Sequence, residues 1–440
     1  MKLEEITKIL GCPEFAGEIQ RIVIDSRQVK KGDLFVALQG ERLNGYEFIL
    51  DAQANGAAAV ICEQKHPKAN IPQILVDNSL TAMTELAKAH RQSIDCPVIA
   101  LTGSNGKTTV KEMIASILPK PSHATFGNLN NHIGAPLSVL QLSKAHRYAV
   151  FELGANHPGE IAHTVAIVKP QIALINNIAP AHIEGFGSID GVARAKGEIY
   201  EGLSENGTAV VNQDDHYAHF WDGLFTDRKV LRFGLHTGDV HARDITYDDK
   251  GCASFTLILP NGSEKIHLQV PGEHSIRNAL AASSCTYAAG ISSVDIANGL
   301  NTFSGVKGRM TYLAGKNNSI VIDDTYNANL RSVLTAVDVL SKRQGKRILV
   351  LGDMGELGAW TQKHHEEIGQ AALSHGIDLL LTCGRQSEFT SKAFGQAARH
   401  YTSQDALAQD LLPQLDSSTT VLVKGSRSAA MENIVHQLVA

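Results

Sequence analysis

A glycine-rich segment at residues 102–109, with the sequence TGSNGKTT, has the composition of a loop that binds nucleotide phosphates. The glycines let backbone N–H groups turn inward, and a following helix would present its positive N-terminal end to an anion. Lys107 can reach the β- and γ-phosphates, and the hydroxyl of Thr108 can bind Mg²⁺. The predicted nucleotide-binding residues of the loop are Gly103, Ser104, Asn105, Gly106, Lys107, Thr108 and Thr109. The segment therefore predicts binding of ATP or GTP.

Elements of the expected kind flank this loop. An apolar run at residues 97–101 predicts a strand before it. Apolar residues at helical spacing follow it, at Val110, Met113, Ile114, Ile117 and Leu118. The strand–loop–helix order is that of a phosphate-binding loop. The usual pattern has a glycine where this chain has Leu101, so the loop matches the shorter form TGxxGKT.

Three further residues could take part in chemistry near this loop. Glu152 ends an apolar strand at residues 148–151, where a carboxylate can hold Mg²⁺ beside the loop threonine. His182 follows the next strand and could coordinate a second metal or stack on a substrate, although a loop histidine is more often solvated. Lys196 lies in a predicted helix at residues 190–203, and its spacing alone favours a solvated lysine. The residues therefore predict Glu152 as a metal ligand and leave the other two open.

The elements that must position these residues divide the chain into three predicted domains of the α/β class. Residues 1–95 mix short strands and helices without a nucleotide motif, which suggests a substrate-binding domain. In residues 96–308, apolar strands alternate with helices, which predicts a largely parallel sheet. Short alternating runs at residues 229–270 predict an antiparallel patch at its edge. Residues 309–440 predict a second open parallel sheet with Rossmann-like alternation.

Composition excludes several classes of protein. Of the 440 residues, 43% are apolar and 19% charged, as in globular proteins, and the net charge of −5 without a basic run argues against nucleic acid. No apolar stretch approaches the roughly 18 residues of a membrane span, and the N-terminus lacks a signal-peptide core. Six scattered cysteines without a CxxC pair indicate reduced thiols and a cytoplasmic location. His364 and His365 are expected to be an exposed pair at a helix start.

The motifs together resemble those of the Mur ligase family, the ATP-dependent amide ligases of bacterial cell-wall precursor synthesis. The resemblance runs from Asp25-Ser26-Arg27 to residues 424–428, nearly the whole chain. Motifs shared with the whole family are TGSNGKTT, Glu152, His182, Lys196, Arg309 and Asp324. Motifs that resemble the D-alanyl-D-alanine-adding branch are residues 128–131, 152–157, 182–187 and 323–329. The implied fold has an N-terminal UDP-substrate domain, a central ATPase and a C-terminal Rossmann-like ligase domain.

The resemblance implies that ATP phosphorylates a carboxylate to an acyl phosphate, which an amine then attacks. Lys107 and Arg309 would stabilise the charge at the γ-phosphate. Two Mg²⁺ ions are implied, one bound by Thr108 and Glu152 and the other by His182 and Lys196. Because a lysine ammonium has no lone pair to offer a metal, the family implies that CO₂ converts Lys196 to a carbamate.

The resemblance also implies the remaining contacts. Asn278 matches the family's adenine contact, Asp324 its ribose carboxylate, and Tyr326 would lie near the base. The substrates would be UDP-N-acetylmuramoyl-tripeptide and D-alanyl-D-alanine, and the protein is expected to be a monomer. The third residue of the tripeptide, meso-diaminopimelate or lysine, stays open. The predicted substrate-binding residues are Ser26, Arg27, Asn130, Asn131, Asn327, Asn329, Lys424 and Ser426. For Lys424, Ser426 and Arg427 a basic surface turn is the alternative. Thr325 replaces an expected serine and Leu330-Arg331 follow Asn329, so the exact D-alanyl-D-alanine contacts stay open.

Alternative functions for the same motifs can be distinguished by sequence features or by their expected activity. Folylpolyglutamate synthase shares the acyl-phosphate chemistry but lacks the uridine-binding domain for which residues 1–95 provide room. Other branches of the family would carry a dinucleotide-like glycine loop at the start or an Asp-Asn-Pro-Arg stretch near the end, and neither occurs here. A nucleotide-dependent switch would hydrolyse nucleotide without an acceptor and would leave Lys196 without a role.

Overall fold

The computed structural model describes residues 2–40, 43–180 and 183–439, and four β-sheets organise this part of the chain. The first is a parallel sheet in the order β1-β2-β3-β4. Its strands are β1 (Ile22–Val23), β2 (Leu34–Val36), β3 (Ala59–Cys62) and β4 (Gln73–Leu75). The accompanying helices are α1 (Leu3–Leu10), α2 (Ile49–Ala54) and α3 (Ser79–Gln92).

Helix α3 connects this sheet to the centre of the molecule. Met83 and Leu86 join the core beneath the first sheet, whereas Ala87 joins the next core along the chain. The buried Arg91 donates to Val168 O at 2.8 Å. One helix thus contributes to two hydrophobic cores.

The central sheet is parallel throughout, in the order β10-β9-β8-β5-β7-β6. Its strands are β5 (Val98–Thr102), β6 (Ser122–Ala124), β7 (Tyr148–Glu152), β8 (Ile172–Ile175), β9 (Thr208–Asn212) and β10 (Lys229–Phe233). The helices over this stretch are α4 (Lys107–Ile117), α5 (Gly134–Val139), α6 (Glu160–Val168), α7 (Ile183–Phe186) and α8 (Ile189–Glu201). Leu101 pairs with Glu152 and Thr102 with Ile175, so β5, β7 and β8 end at one edge. Ligand sites of open parallel sheets lie at this edge.

A separate antiparallel sheet packs beside the central one. Its strands are β11 (His241–Tyr247), β12 (Cys252–Leu259) and β13 (Gly262–Pro271), and α9 (Glu273–Ala288) and α10 (Ser293–Thr302) follow. The antiparallel prediction for residues 229–270 is therefore wrong at its start. β10 pairs in parallel with β9, because its apolar residues complete the central core.

The last sheet has the order β14-β15-β19-β16-β17-β18, and only β14 is antiparallel to its neighbour. Its strands are β14 (Thr311–Ala314), β15 (Ile320–Asp324), β16 (Lys346–Gly352), β17 (Leu379–Cys383), β18 (Ala398–Tyr401) and β19 (Thr419–Lys424). Its helices are α11 (Leu330–Ser341), α12 (Thr361–Ser374), α13 (Glu388–Phe394), α14 (Gln404–Leu411) and α15 (Glu432–Leu438). Helices on both faces bury this sheet, as parallel sheets require.

Short 3₁₀ helices complete the described structure, at Ser26–Gln28, Gly45–Phe48, Asp222–Leu224, Lys316–Asn318, Gly358–Trp360, Leu412–Gln414 and Arg427–Ala429. The predicted α/β class is confirmed. The expected exposure of His364 and His365 is wrong, because both lie on the inner side of α12 and are 7% and 0% exposed. Within the described ranges, every helix is too short or too polar to cross a bilayer.

Candidate active site

Two glycines shape the phosphate loop between β5 and α4. Gly106 has φ +78° and directly precedes α4, and a Cβ there would lie 2.6 Å from Asn278 Oδ1 and 2.7 Å from Asn176 Nδ2. Gly103 has φ +152°, and its Cβ would come within 3.1 Å of Asn176. Glycine adopts such backbone angles without steric cost. The loop therefore has no room for a side chain at Gly106 and little at Gly103.

The segment that follows β8 holds the loop backbone. Ser104 N donates to Asn177 O at 2.9 Å, and Ser104 Oγ donates to Ala179 O at 3.0 Å. Asn105 N donates to Asn177 Oδ1 at 2.9 Å, and Asn105 O accepts from Asn176 Nδ2 at 2.9 Å. The loop is therefore positioned by the central unit itself.

In the described part of the site, the basic side chains of Arg309 and Lys196 and the carboxylate of Glu152 each interact electrostatically with Lys107. Burial lowers the pKa of Lys107, while the charge of Glu152 raises it and that of Arg309 lowers it. Lys107 in turn acts electrostatically on Lys196. The Lys107 Nζ donates to Gly103 O at 2.8 Å, so it curls back over the loop. Cations outnumber the carboxylate, which favours a polyanionic ligand.

The Glu152 carboxylate is hydrogen-bonded on one side only. Asn130 Nδ2 donates to Glu152 Oε1 at 2.8 Å, and Glu152 N donates to Thr125 Oγ1 at 3.1 Å. Glu152 Oε2 is buried and has no hydrogen-bond partner among the residues that the structure describes. An unpaired buried oxygen is costly, so this atom is suited to accept a ligand that the protein does not itself supply.

Lys196 is buried on the inner face of α8 rather than solvated. Its exposure is 2%, and burial, together with the charge of Lys107, lowers the pKa of Lys196 to about 7. Tyr200, one turn later, donates from its hydroxyl to Val210 O at 2.7 Å and fixes α8 against the sheet. Trp221 Nε1 donates to Ala193 O at 3.1 Å on the same helix. The solvated alternative for Lys196 is therefore wrong.

The C-terminal part of the chain contributes an arginine to the loop. Arg309 Nη2 donates to Thr108 Oγ1 at 3.3 Å. The guanidinium carbon lies 4.0 Å from the ring centroid of Tyr326, within the range of a cation–π contact. Tyr326 therefore holds Arg309 beside the predicted Mg²⁺-binding hydroxyl.

Asp324 and Lys424 form a buried ion pair at the ends of neighbouring strands. Lys424 Nζ donates to Asp324 Oδ2 at 2.5 Å and to Asn327 O at 2.9 Å, and Lys424 is 3% exposed. Met310 N donates to the other Asp324 oxygen at 3.2 Å. The surface-turn alternative for Lys424 is wrong, and the Asp324 carboxylate is held firmly in one orientation.

Other predicted residues have local partners. Asn278 Oδ1 accepts from Asn176 Nδ2 at 3.1 Å beneath Gly106. Asn131 Oδ1 accepts from the backbone N of Gly134, the first residue of α5, at 2.8 Å. In the N-terminal region, Asn55 Nδ2 donates to Ser26 O, and Arg27 forms an ion pair with Asp25. In the C-terminal region, Ala328 N donates to Asn327 Oδ1, and Ser426 N donates to Asp353 O. Ser26 and Arg27 thus lie in the 3₁₀ helix Ser26–Gln28, between β1 and β2.

His182 lies outside the described residues, so its predicted metal-binding role stays a prediction. Within the described ranges, no group of three or more His, Cys, Asp or Glu side chains is arranged to hold a metal ion.

Sequence reasoning missed several residues that build the site. Lys111 is fully buried, and its Nζ donates to Thr125 O at 2.7 Å, beneath the strand end that supports Glu152. Lys111 lies three residues before Ile114 and seven before Leu118, on the apolar face of α4, and this spacing could have predicted its burial. The bracing roles of Asn176 and Asn177 left no such signal, because they depend on tertiary contacts.

Three descriptions of protein families match successive parts of the chain. Residues 18–91 match "Mur ligase family, catalytic domain", residues 101–286 match "Mur ligase middle domain", and residues 308–427 match "Mur ligase, glutamate ligase domain". The chain belongs to the Mur ligase family. The family predicted from the motifs is thereby confirmed, and Mur ligases use ATP.

Relatives of this Mur ligase align over nearly their whole length. The UDP-N-acetylmuramoyl-tripeptide–D-alanyl-D-alanine ligase of Escherichia coli (strain K12) is 43% identical, and the alignment covers 99% of this chain and 98% of that protein. A crystal structure of MurF from Acinetobacter baumannii superposes with a TM-score of 0.93 at 36% identity, covering 99% and 98%. MurF ligase from Thermotoga maritima, solved in complex with ADP, gives 0.83 at 29% identity, covering 95% and 96%.

Proposed function

We propose that this Mur ligase joins D-alanyl-D-alanine to UDP-N-acetylmuramoyl-tripeptide at the expense of ATP, producing the UDP-linked pentapeptide of peptidoglycan synthesis. The relatives above carry the name of this activity over almost the whole chain. The observation in the structure that supports it most is the buried Lys196, on which the charge of the loop residue Lys107 acts. A nucleotide switch has no use for a second lysine near its phosphate loop, whereas a ligase must neutralise two reacting anions.

The proposed reaction has two steps. The terminal carboxylate of the tripeptide attacks the γ-phosphorus of ATP, and ADP leaves as an acyl phosphate forms. The amine of D-alanyl-D-alanine then attacks the acyl carbon, the amide bond forms, and inorganic phosphate leaves while the amine loses a proton. Lys107 and Arg309 stabilise negative charge on the transferring phosphoryl group. Glycine-lined backbone and the N-terminus of α4 hold the remaining phosphates.

The residues present fit a divalent cation at this loop. The unpaired buried Oε2 of Glu152 is an oxygen acceptor of the kind that Mg²⁺ prefers, and the Thr108 hydroxyl lies on the same loop. We propose that Glu152 and Thr108 hold Mg²⁺ there, where the ion would neutralise phosphate charge. His182 and Lys196 are proposed for a second ion.

Lys196 is proposed to act as a carbamate. A neutral amine is required for reaction with CO₂, and a lysine with a pKa of about 7 supplies it near neutral pH. Burial and the charge of Lys107 both oppose protonation of Lys196. Its nearest recorded aromatic neighbour is Phe186, whose ring centroid lies 5.9 Å from Nζ.

The substrates are proposed to span three domains, at residues 1–95, 96–308 and 309–440. Ser26 and Arg27 are proposed to bind the UDP end, because Arg27 is exposed, although it pairs with Asp25. Nucleotide contacts are proposed for Asn278, Asp324 and Tyr326. Peptide contacts are proposed for Asn130, Asn131, Asn327, Lys424 and Ser426. We further propose a cytoplasmic monomer.

We expect ligands to draw these domains together. The segment before β14 has positive φ at Gly305 (+103°), Gly308 (+72°) and Met310 (+52°), as suits a hinge that absorbs backbone rotation. Small-angle scattering should give a smaller radius of gyration with Mg²⁺, AMP-PNP and UDP-N-acetylmuramoyl-tripeptide than without ligands. Equal dimensions in the two samples would contradict the expected closure.

A direct assay tests the activity. Incubation with ATP, Mg²⁺, UDP-N-acetylmuramoyl-tripeptide and D-alanyl-D-alanine should yield the pentapeptide by mass, with one ADP and one phosphate for each product. L-alanyl-L-alanine serves as the matched acceptor control and should give little product. Hydrolysis of ATP at the same rate without acceptor, and no pentapeptide, would favour the nucleotide switch. Ligation of glutamate to a folate instead would favour folylpolyglutamate synthase.

A further inference from the structure

Asn329 begins α11 and connects it to the phosphate loop. Its Oδ1 accepts from Ser332 N at 2.9 Å, and Asn329 N donates to Ser332 Oγ at 3.0 Å, so the residue caps the helix. Its Nδ2 donates to Asn105 Oδ1 at 2.8 Å. A residue from the C-terminal sheet region therefore binds a side chain of the nucleotide loop directly.

The backbone of Asn105 is already fixed from the central unit, but its side chain is not. Backbone N and O of Asn105 are held by Asn176 and Asn177. The side-chain Nδ2 of Asn105 is buried and has no hydrogen-bond partner among the described residues. The one recorded hydrogen bond that orients this amide is the one from Asn329. An unpaired buried amide donor in a phosphate loop is suited to a phosphate oxygen.

We propose that Asn329 is a positioning residue that turns the Asn105 amide so that Nδ2 donates to a nucleotide phosphate. The inference rests on the proposed use of ATP, and it gives Asn329 a role other than substrate contact. An amide rotated by half a turn would present its oxygen to the phosphate and repel it. The donor from Asn329 excludes that orientation, because Asn105 Oδ1 must then face α11.

The arrangement couples nucleotide binding to docking of the C-terminal unit. Asn329 can orient Asn105 only while α11 lies against the loop. Arg331 Nη1, which donates to Ile178 O at 3.2 Å, and Arg309, which donates to Thr108, hold the unit there independently. By linkage, a nucleotide that binds the docked state more tightly stabilises docking to the same extent.

A neutral substitution separates this role from helix capping. Serine is about as good an N-cap as asparagine, so Asn329→Ser keeps the cap and removes the amide donor without adding charge. Asn78 caps α3 in the same way, accepting from Thr81 N at 2.8 Å, and lies outside the proposed site. Asn78→Ser is therefore the matched control.

Calorimetric titration of the full chain with Mg²⁺ and AMP-PNP provides the test. We expect Asn329→Ser and Asn105→Ala each to weaken binding by about 3- to 10-fold, the range of one hydrogen bond, and Asn78→Ser to leave it unchanged. The double variant should bind no more weakly than Asn105→Ala alone, because Asn329 acts through Asn105.

Two results would overturn the inference alone. The first is a double variant whose loss of AMP-PNP affinity equals the product of the two single losses. The second is wild-type nucleotide affinity in Asn329→Ser together with a raised KM for D-alanyl-D-alanine, as a substrate contact predicts. Absence of AMP-PNP binding by the wild-type chain would overturn the proposed function and this inference with it.

Discussion

Lys107→Ala should lower the rate of pentapeptide formation by about 100-fold or more, with the fold intact. Removing one preorganised charge or donor at a reacting group typically costs about 3–4 kcal/mol of transition-state stabilisation. The side chain is partly exposed and bonds to the carbonyl of Gly103, so its removal leaves the core unchanged. Steady-state kinetics with ATP, beside a thermal melt, measures both effects.

A conservative substitution of Glu152 tests the proposed metal-binding carboxylate. Glu152→Gln keeps an oxygen for Asn130 Nδ2 and removes the charge proposed to hold Mg²⁺. We expect a loss as large as for Lys107→Ala and a higher Mg²⁺ requirement. Lys88→Ala, which removes a surface lysine paired with Glu85 on α3, is the control and should retain wild-type activity. Near wild-type turnover in Lys107→Ala or Glu152→Gln would make the nucleotide-site assignment wrong.

Lys196→Ala should be nearly inactive and partly rescued by short carboxylic acids such as acetate. The alanine leaves a buried space next to Lys107, and a small carboxylate there would replace the oxygen ligand that a carbamate supplies. Stripping CO₂ and bicarbonate should lower wild-type activity. Activity should also fall as the pH drops below about 7, because protonation of the Lys196 amine opposes carbamate formation.

A spectroscopic readout separates this role from a structural one. With ¹³C-labelled bicarbonate, the wild-type protein should show a carbamate carbon signal that Lys196→Ala lacks. Lys111→Met, which removes another buried lysine, should keep the signal, because Lys111 donates to Thr125 O instead. Full activity in Lys196→Ala would leave His182 without its proposed co-ligand.

Long, strongly patterned elements could be predicted from the sequence, whereas short edge strands could not. β8 is apolar throughout, and β9 is apolar between its end residues Thr208 and Asn212, because helices cover both faces of a parallel sheet. β4, β6, β14 and β18 have only 3 or 4 residues each and lie at sheet edges, so no periodicity marks them. The pairing of β10 depended on its neighbours rather than on its own pattern.

Some residues of the site could likewise be predicted from local sequence, whereas others depend on tertiary contacts. The phosphate loop is a local structure, and its glycines and flanking elements identify it in the sequence alone. Burial of Lys196 is a tertiary property, although its place four residues after Val192 and three before Ile199 puts it on the apolar stripe of α8. The pairing of Lys424 with Asp324, 100 residues away, follows from adjacent parallel strands and had no local sign.

The most direct test of the proposed chemistry follows oxygen from the substrate carboxylate. Tripeptide substrate labelled with ¹⁸O in its terminal carboxylate would be converted with ATP and D-alanyl-D-alanine, and the released phosphate analysed by mass spectrometry. An acyl phosphate that collapses to the amide must leave one ¹⁸O atom in each phosphate, with one pentapeptide formed alongside. Unlabelled phosphate, or phosphate released without pentapeptide, would contradict the account.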